Sequence, residues 1–305
     1  MLISDDPTQS KVKLKDVYVP ISLKEKSINV RYKRHRIEDF PENCDRLIIV
    51  GDPGSGKSTY LKNKLREHCG ANSKRICVFI RVADFVKQID FTIEQKSENL
   101  LERYIETTLK EMSAMDIYAK LKSAGSVSYF IDGLDEVQDS KKKESVQRAI
   151  IEFISKSNNC KFYITSRKIG LDVQPFNALD FEVREIAPLT LESIHQYIVN
   201  WYTFIAKLNK KNYKENIEKL KSAIDQDKAL FTLATNPLLL SIIAILHYHG
   251  KKLPNNKAAL YKTITETLLQ TWMEHRNFTV LNELQNLDNQ DLTNVFSRGL
   301  LGDRK

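Results

Sequence analysis

Residues 48–62 read IIVGDPGSGKSTYLK and place three of the chain's ten glycines, Gly51, Gly54 and Gly56, within six positions. Nowhere else in the sequence is glycine so concentrated. An apolar run, RLIIV (46–50), leads into the glycines, and Lys57, Ser58 and Thr59 follow at once. The spacing Gly51-x-x-x-x-Gly56-Lys57-Ser58 is that of a phosphate-binding loop, which requires a strand before it and a helix after it. Glycine lets the backbone turn tightly, so that successive N–H groups point inward at phosphate oxygens. A helix starting at Thr59 adds its N-terminal dipole. Residues Gly51, Asp52, Pro53, Gly54, Ser55, Gly56, Lys57, Ser58 and Thr59 are therefore the expected nucleotide-binding set. In it, Lys57 reaches the β- and γ-phosphates and the Ser58 hydroxyl ligates Mg²⁺.

The flanking sequence agrees with that requirement. Runs similar to RLIIV follow at 76–82 (ICVFIRV), 127–131 (VSYFI), 161–165 (KFYIT) and 181–186 (FEVREI). They are short, rich in Ile, Val, Phe and Tyr, and mostly non-alternating, as strands buried on both faces of a parallel sheet are. Helical periodicity separates them, after the loop from Thr59 to Cys69, over 97–112 and over 145–156. Alternating strands and helices predict a doubly wound α/β layer. After about residue 187 the strand runs stop. Residues 188–208, a lysine-rich stretch to about 225, 227–250 and 256–277 all read as helices, punctuated by Pro188, Pro237, Gly250 and Pro254.

Composition narrows the class. No apolar run approaches the ~18 residues of a membrane span; the longest, PLLLSIIAIL (237–246), reads as a buried helix. The N-terminus carries acids where a secretory signal carries positive charge. The four cysteines have neither CxxC nor CxxH spacing, which suits free thiols in a reducing cytoplasm. The formal net charge is +8, and residues 11–36 alone hold nine Lys or Arg against one Asp and one Glu. Such a segment is a nucleic-acid footprint, a solvated face, or a lid over a bound polyphosphate.

Two further clusters carry chemistry. In SYFIDGLDEV (128–137), a buried strand ends in Asp132, followed by Gly133, Asp135 and Glu136. A carboxylate at a strand end beside the phosphate loop suits the Mg²⁺ water shell, a role assigned to Asp132 together with Ser58. Gly133 permits a turn that brings Asp135 or Glu136 towards the γ-phosphate to polarise the attacking water. In KFYITSR (161–167), Arg167 follows the next strand and can sense the γ-phosphate. Lys57, Asp135, Glu136 and Arg167 are the expected catalytic set.

These segments resemble the NACHT family of STAND-type P-loop NTPases. GDPGSGKSTYLK, YFIDGLDEV, FYITSR and ATNPLLLSIIAILH carry the resemblance, and DGLDE, with glycine after the metal aspartate, is its most specific part. It covers about residues 17–280, including VYVPISL ahead of the loop and NKAALYKTITETLLQTW after the NPLLL helix. It implies a parallel five-stranded sheet in the order 5-1-4-3-2, followed by a helical domain, with Pro237 near the adenine. The organisation it implies is a basic N-terminal segment (1–40), a P-loop NTPase domain (41–187), a helical domain (188–280) and the start of a truncated winged-helix region (281–305). The implied function is an ATP/ADP switch with Mg²⁺, slowly hydrolysing, that oligomerises on activation by a trigger ligand, as in immune and antiphage sensors. Two rivals bear on it. A GTPase needs Asn-Lys-x-Asp, and LNKKN (208–212) lacks the aspartate. A nucleic-acid-binding ATPase would use the basic segment.

Overall fold

The computed structural model describes residues 17–25, 37–38, 44–69, 76–88, 99–113, 115–123, 127–137, 139–157, 159–168 and 171–276. Most of the basic segment, and with it the expected lid or nucleic-acid face, lies outside the described residues, as does the expected winged-helix start at 281–305.

Five strands, β3 (Arg46–Val50), β4 (Ile76–Arg81), β5 (Val127–Asp132), β6 (Lys161–Ser166) and β7 (Glu182–Ile186), pair in parallel in the order β7-β3-β6-β5-β4. That is the expected 5-1-4-3-2 order. Among the described residues the sheet is nonetheless mixed and seven-stranded, not a purely parallel five-stranded one. β1 (Leu23–Glu25) runs antiparallel to β7, and β2 (Ile37–Glu38) antiparallel to β1. Both come from the stretch read as a basic segment. β7 is otherwise the sheet edge, with a row of unpaired backbone groups that an extended segment can satisfy. A three-residue strand shows no apolar run, though Leu23, opposite Ile186, is deeply buried.

The central strands are apolar because both faces are covered. Every residue of β5 is buried, as are the last four of β3. Side chains alternate across a strand, so β3 serves two cores. Ile48 and Val50 face α3 (Leu100–Glu111) and α5 (Ser140–Lys156). Leu47 and Ile49 face α1 (Lys57–His68), and that layer continues into the helical region. Between α1 and α5 lie two helices that periodicity did not single out, α2 (Val82–Gln88) and α4 (Met115–Ser123). A short α6 (Gln174–Asn177) precedes β7.

The helical region comprises α7 (Leu191–Asn209), α8 (Lys214–Gln226), α9 (Lys228–Ala234), α10 (Pro237–Tyr248) and α11 (Lys257–Arg276). Trp201, Tyr202, Leu240 and Ile243 from α7 and α10 are fully buried in the same core as Leu47 and Leu61. The stretch 227–250, expected as one helix, is two, bent by 118°. Pro237 has no N–H and its ring excludes a helical residue before it. Asn236 accordingly takes an extended conformation (φ −95°, ψ 122°) and caps α10. No single helix among the described residues is long and apolar enough to cross a membrane.

Candidate functional site

The glycine loop leaves β3 at the centre of the sheet and enters α1 at Lys57, two residues before the expected start. Gly54 and Gly56 have left-handed backbones, with φ of 75° and 94°. Space demands glycine there too. A Cβ at Gly56 would lie 2.7 Å from Ile21 Cδ1, and one at Gly54 2.8 Å from Leu238 Cβ. Gly56 offers α1 no side-chain cap, so the first-turn N–H groups have no side-chain acceptor at that position and face the loop with the positive end of the dipole. Lys57 Nζ donates to the carbonyls of Gly51 (2.8 Å) and Asp52 (3.2 Å). Burial lowers the Lys57 pKa, against the pull of Asp135.

Asp132 ends β5, which is separated from β3 by β6, and is 7% exposed. Its Oδ1 accepts from Ser58 Oγ (2.9 Å) and from Thr165 Oγ1 (2.6 Å). The two expected metal residues are thus in direct contact. Thr165 also accepts from the Gly133 N–H (2.9 Å), which ties β6 to the turn after β5. With φ at 84°, Gly133 leads into a 3₁₀ turn, Leu134–Glu136. Asp135 accepts from the Arg167 N–H (2.9 Å) and forms an ion pair with Arg167 Nε at 2.8 Å. Partial burial raises the Glu136 pKa, reinforced by the charges of Asp132 and Asp135. The three acids therefore divide. Asp132 is bound to the loop, Asp135 is engaged by Arg167, and Glu136 has its pKa raised.

A cavity of about 510 Å³ opens over the loop. Gly56, Lys57, Ser58 and Thr59 line it beside the loop, and Val17, Val19, Leu189, Tyr197 and Trp201 also line it. The start of α10 is bonded to the loop as well. Leu238 N–H donates to the Gly54 carbonyl (3.2 Å), and Asn236 Nδ2 to the Pro53 carbonyl (3.1 Å). Asn236 Oδ1 meanwhile caps α10 by accepting from the N–H groups of Leu238 and Leu239. Pro237 lines the cavity, its Cγ 3.7 Å from the Cβ position of Gly56. Behind it Tyr197 donates to Ser241 Oγ (2.9 Å), which donates to the Pro237 carbonyl (2.9 Å). Burial pushes the Tyr197 hydroxyl up to about 12.

Of the expected residues, the cavity brings together Gly54, Gly56, Lys57, Ser58, Thr59 and Pro237. Asp132 joins them through Ser58, and Asp135 and Arg167 join each other. Asp52 is exposed, 3.9 Å from Lys168, which forms an ion pair with Glu185 (2.7 Å). Sequence reading missed Thr165, Asn236, Tyr197, Trp201 and the 17–21 stretch as site components. Asn236 did carry a signal, an Asn immediately before Pro at a helix start. Trp201 carried none, because nothing local separates it from an ordinary core aromatic.

A parallel 5-1-4-3-2 core, a glycine loop between its first strand and a helix, and a strand-end aspartate bonded to the loop serine define a P-loop ATPase-like fold. The groups present suit a magnesium-bound nucleotide. Two glycines leave a cradle that side chains would fill, and a hydroxyl and a carboxylate converge beside it. Among the described residues no group of three or more His, Cys, Asp or Glu gathers as a metal cage.

No protein-family model matches the chain, and neither does any curated protein. Solved structures similar to it include domain III of the Thermotoga maritima replication initiation protein DnaA. That match has 15% identity and a TM-score of 0.40, and covers 73% of this chain and 86% of that one. Another is C. elegans PCH-2, with 15% identity, a TM-score of 0.41, and 69% and 63% coverage. Saccharomyces cerevisiae RIF2 matches with 14% identity, a TM-score of 0.34, and 67% and 75% coverage.

Proposed function

We propose that the chain is the nucleotide-binding module of a NACHT-type signalling switch, which binds ATP and ADP with Mg²⁺, hydrolyses ATP slowly and oligomerises on activation. The observation that carries this reading is the double contact of α10 with the phosphate loop, Leu238 to Gly54 and Asn236 to Pro53. A helical region bonded to the loop feels whatever the loop binds, and a ligand moves such an equilibrium by its differential affinity for the two arrangements.

In this reading residues 51–59 cradle the phosphates, Lys57 neutralises the β/γ oxygens, and Ser58 with Asp132 holds Mg²⁺. The metal, when bound, withdraws charge from phosphate oxygens. Glu136, its pKa raised by partial burial, is suited to accept a proton from the attacking water. The Asp135–Arg167 pair occupies two groups that would otherwise act on the γ-phosphate, which supports a slow turnover. Among the described residues no carboxylate lines the cavity to pair with guanine, which favours ATP over GTP. A role in immune or antiphage sensing in the cytoplasm rests on the NACHT resemblance of GDPGSGKST and DGLDE.

Calorimetric titration of Mg-ATP and Mg-ADP into the wild type and Lys57→Ala tests the reading. Loss of a charge-assisted contact worth ~1.5–3 kcal/mol should weaken binding roughly 10- to 100-fold. Equal affinity in the variant would overturn it.

A further inference from the structure

The cavity contains one buried polar group whose purpose neither the fold nor the phosphate chemistry accounts for. Trp201 is 1% exposed, lines the cavity, and its indole Nε1 has no hydrogen-bond partner. Buried donors are normally paired, so an orphan at a cavity wall marks a position where a ligand acceptor belongs. The only other side chain with such an atom among the described residues that has no recorded interaction is Ser55, whose Oγ packs within the loop itself.

The position of Trp201 determines which part of a ligand it meets. Pro237 lies beside Gly56, and Ser241 is one helical turn further along α10, away from the loop. Tyr197 reaches Ser241 from α7, and Trp201 is one turn on from Tyr197, their rings 6.3 Å apart and within 18° of parallel. Asn200, its neighbour in the chain, donates to the Tyr18 carbonyl (3.3 Å) and fastens the 17–21 stretch to the same helix. The donor therefore stands at the apolar end of the cavity, among Val17, Val19 and Leu189, and the lysine and hydroxyls stand at the other. A nucleotide bound by its phosphates on the loop extends its base, not its ribose hydroxyls, into that apolar end.

Building on the nucleotide reading above, we propose that Trp201 is a specificity residue: its Nε1–H donates to a ring nitrogen of the bound purine. N1, N3 and N7 of adenine are in-plane acceptors with an available lone pair, whereas a carbon at the same ring position offers none. Trp201 then selects a base by an edge contact, while the P-loop binds any triphosphate.

The test is a double-mutant cycle between protein and ligand on the full chain. Mg-ATP and its 1-deaza, 3-deaza and 7-deaza analogues are titrated calorimetrically into the wild type and into Trp201→Phe, which keeps an aromatic ring and removes the donor. Wild type should lose about three- to tenfold in affinity for one of the three analogues. Trp201→Phe should lose the same factor for ATP and show no further loss with that analogue. In a Trp272→Phe background, ADP should shift the Trp201 emission, a readout that needs no altered indole.

If Mg-ATP fails to bind the wild type, the nucleotide reading falls and this proposal with it. Should ATP bind and all three deaza analogues lose equally in wild type and variant, Trp201 is not the reader, and only this proposal is overturned. Coupling of Trp201→Phe to 2′- or 3′-deoxy-ATP instead would place the donor on the ribose and equally overturn it.

Discussion

Asn236 holds two jobs with two atoms, and they can be separated. Its Oδ1 caps α10 through the N–H groups of Leu238 and Leu239, and its Nδ2 clamps the helix to the Pro53 carbonyl. Asn236→Ala removes both. An N-cap is worth about 1 kcal/mol and a net hydrogen bond about 1 kcal/mol, so the variant should lose about 2 kcal/mol. Asn236→Asp keeps a capping oxygen of equal quality and gains a favourable charge at the helix N-terminus. It loses the donor and sets a carboxylate against the Pro53 carbonyl and the phosphate site. Its stability should therefore stay within about 1 kcal/mol of the wild type while its affinity for Mg-ATP falls about tenfold. Urea unfolding followed by circular dichroism gives the first quantity, and calorimetry the second. If both variants unfold at the same urea concentration, the capping argument is wrong. If Asn236→Asp binds ATP as the wild type does, the clamp does not couple to the site.

Asp132→Asn weakens the negative pole shared with Ser58, so the gain in ATP affinity on adding Mg²⁺ should shrink by about tenfold or more; calorimetry with and without EDTA measures it. Glu136→Gln should bind ATP normally and hydrolyse it at least about 100-fold more slowly. Because the Glu136 pKa is raised, wild-type turnover should fall on the acid side at a pH above the ordinary glutamate value of about 4.3, as a phosphate-release profile would reveal. Glu185 behaves oppositely. Burial alone would raise its pKa, but the hydrogen bonds from Lys168 and Lys24 outweigh that and lower it. A depressed acid contributes stability that is complete above its unfolded pKa of about 4.3 and is lost as the pH falls through the lower folded value. Unfolding curves for the wild type and Glu185→Gln should accordingly differ above about pH 4.3 and converge in stronger acid.

Much of this protein is legible from residues adjacent in the chain. The glycine loop, the turn at Gly133 and the central strands β3, β5 and β6 could be read directly, because left-handed backbones and double-sided burial impose their residue types locally. The candidate site acids could also be picked out as a group, since their spacing follows from one strand end. The partition of roles among them was not readable: Asp135 meets Arg167 only because β6 lies next to β5. The same holds for β1 and β2, whose few residues become strands only against the open edge of β7. Asn236 and Pro53 are 183 residues apart, and Asn200 and Tyr18 are 182 apart. No periodicity or spacing encodes contacts of that separation. They exist because burying the apolar faces of α7 and α10 against Leu47 and Ile49 brings those helix ends over the loop. Trp201 is the extreme case: its sequence context is that of any buried aromatic, and only the tertiary structure places it in the cavity lining with its Nε1 unpaired.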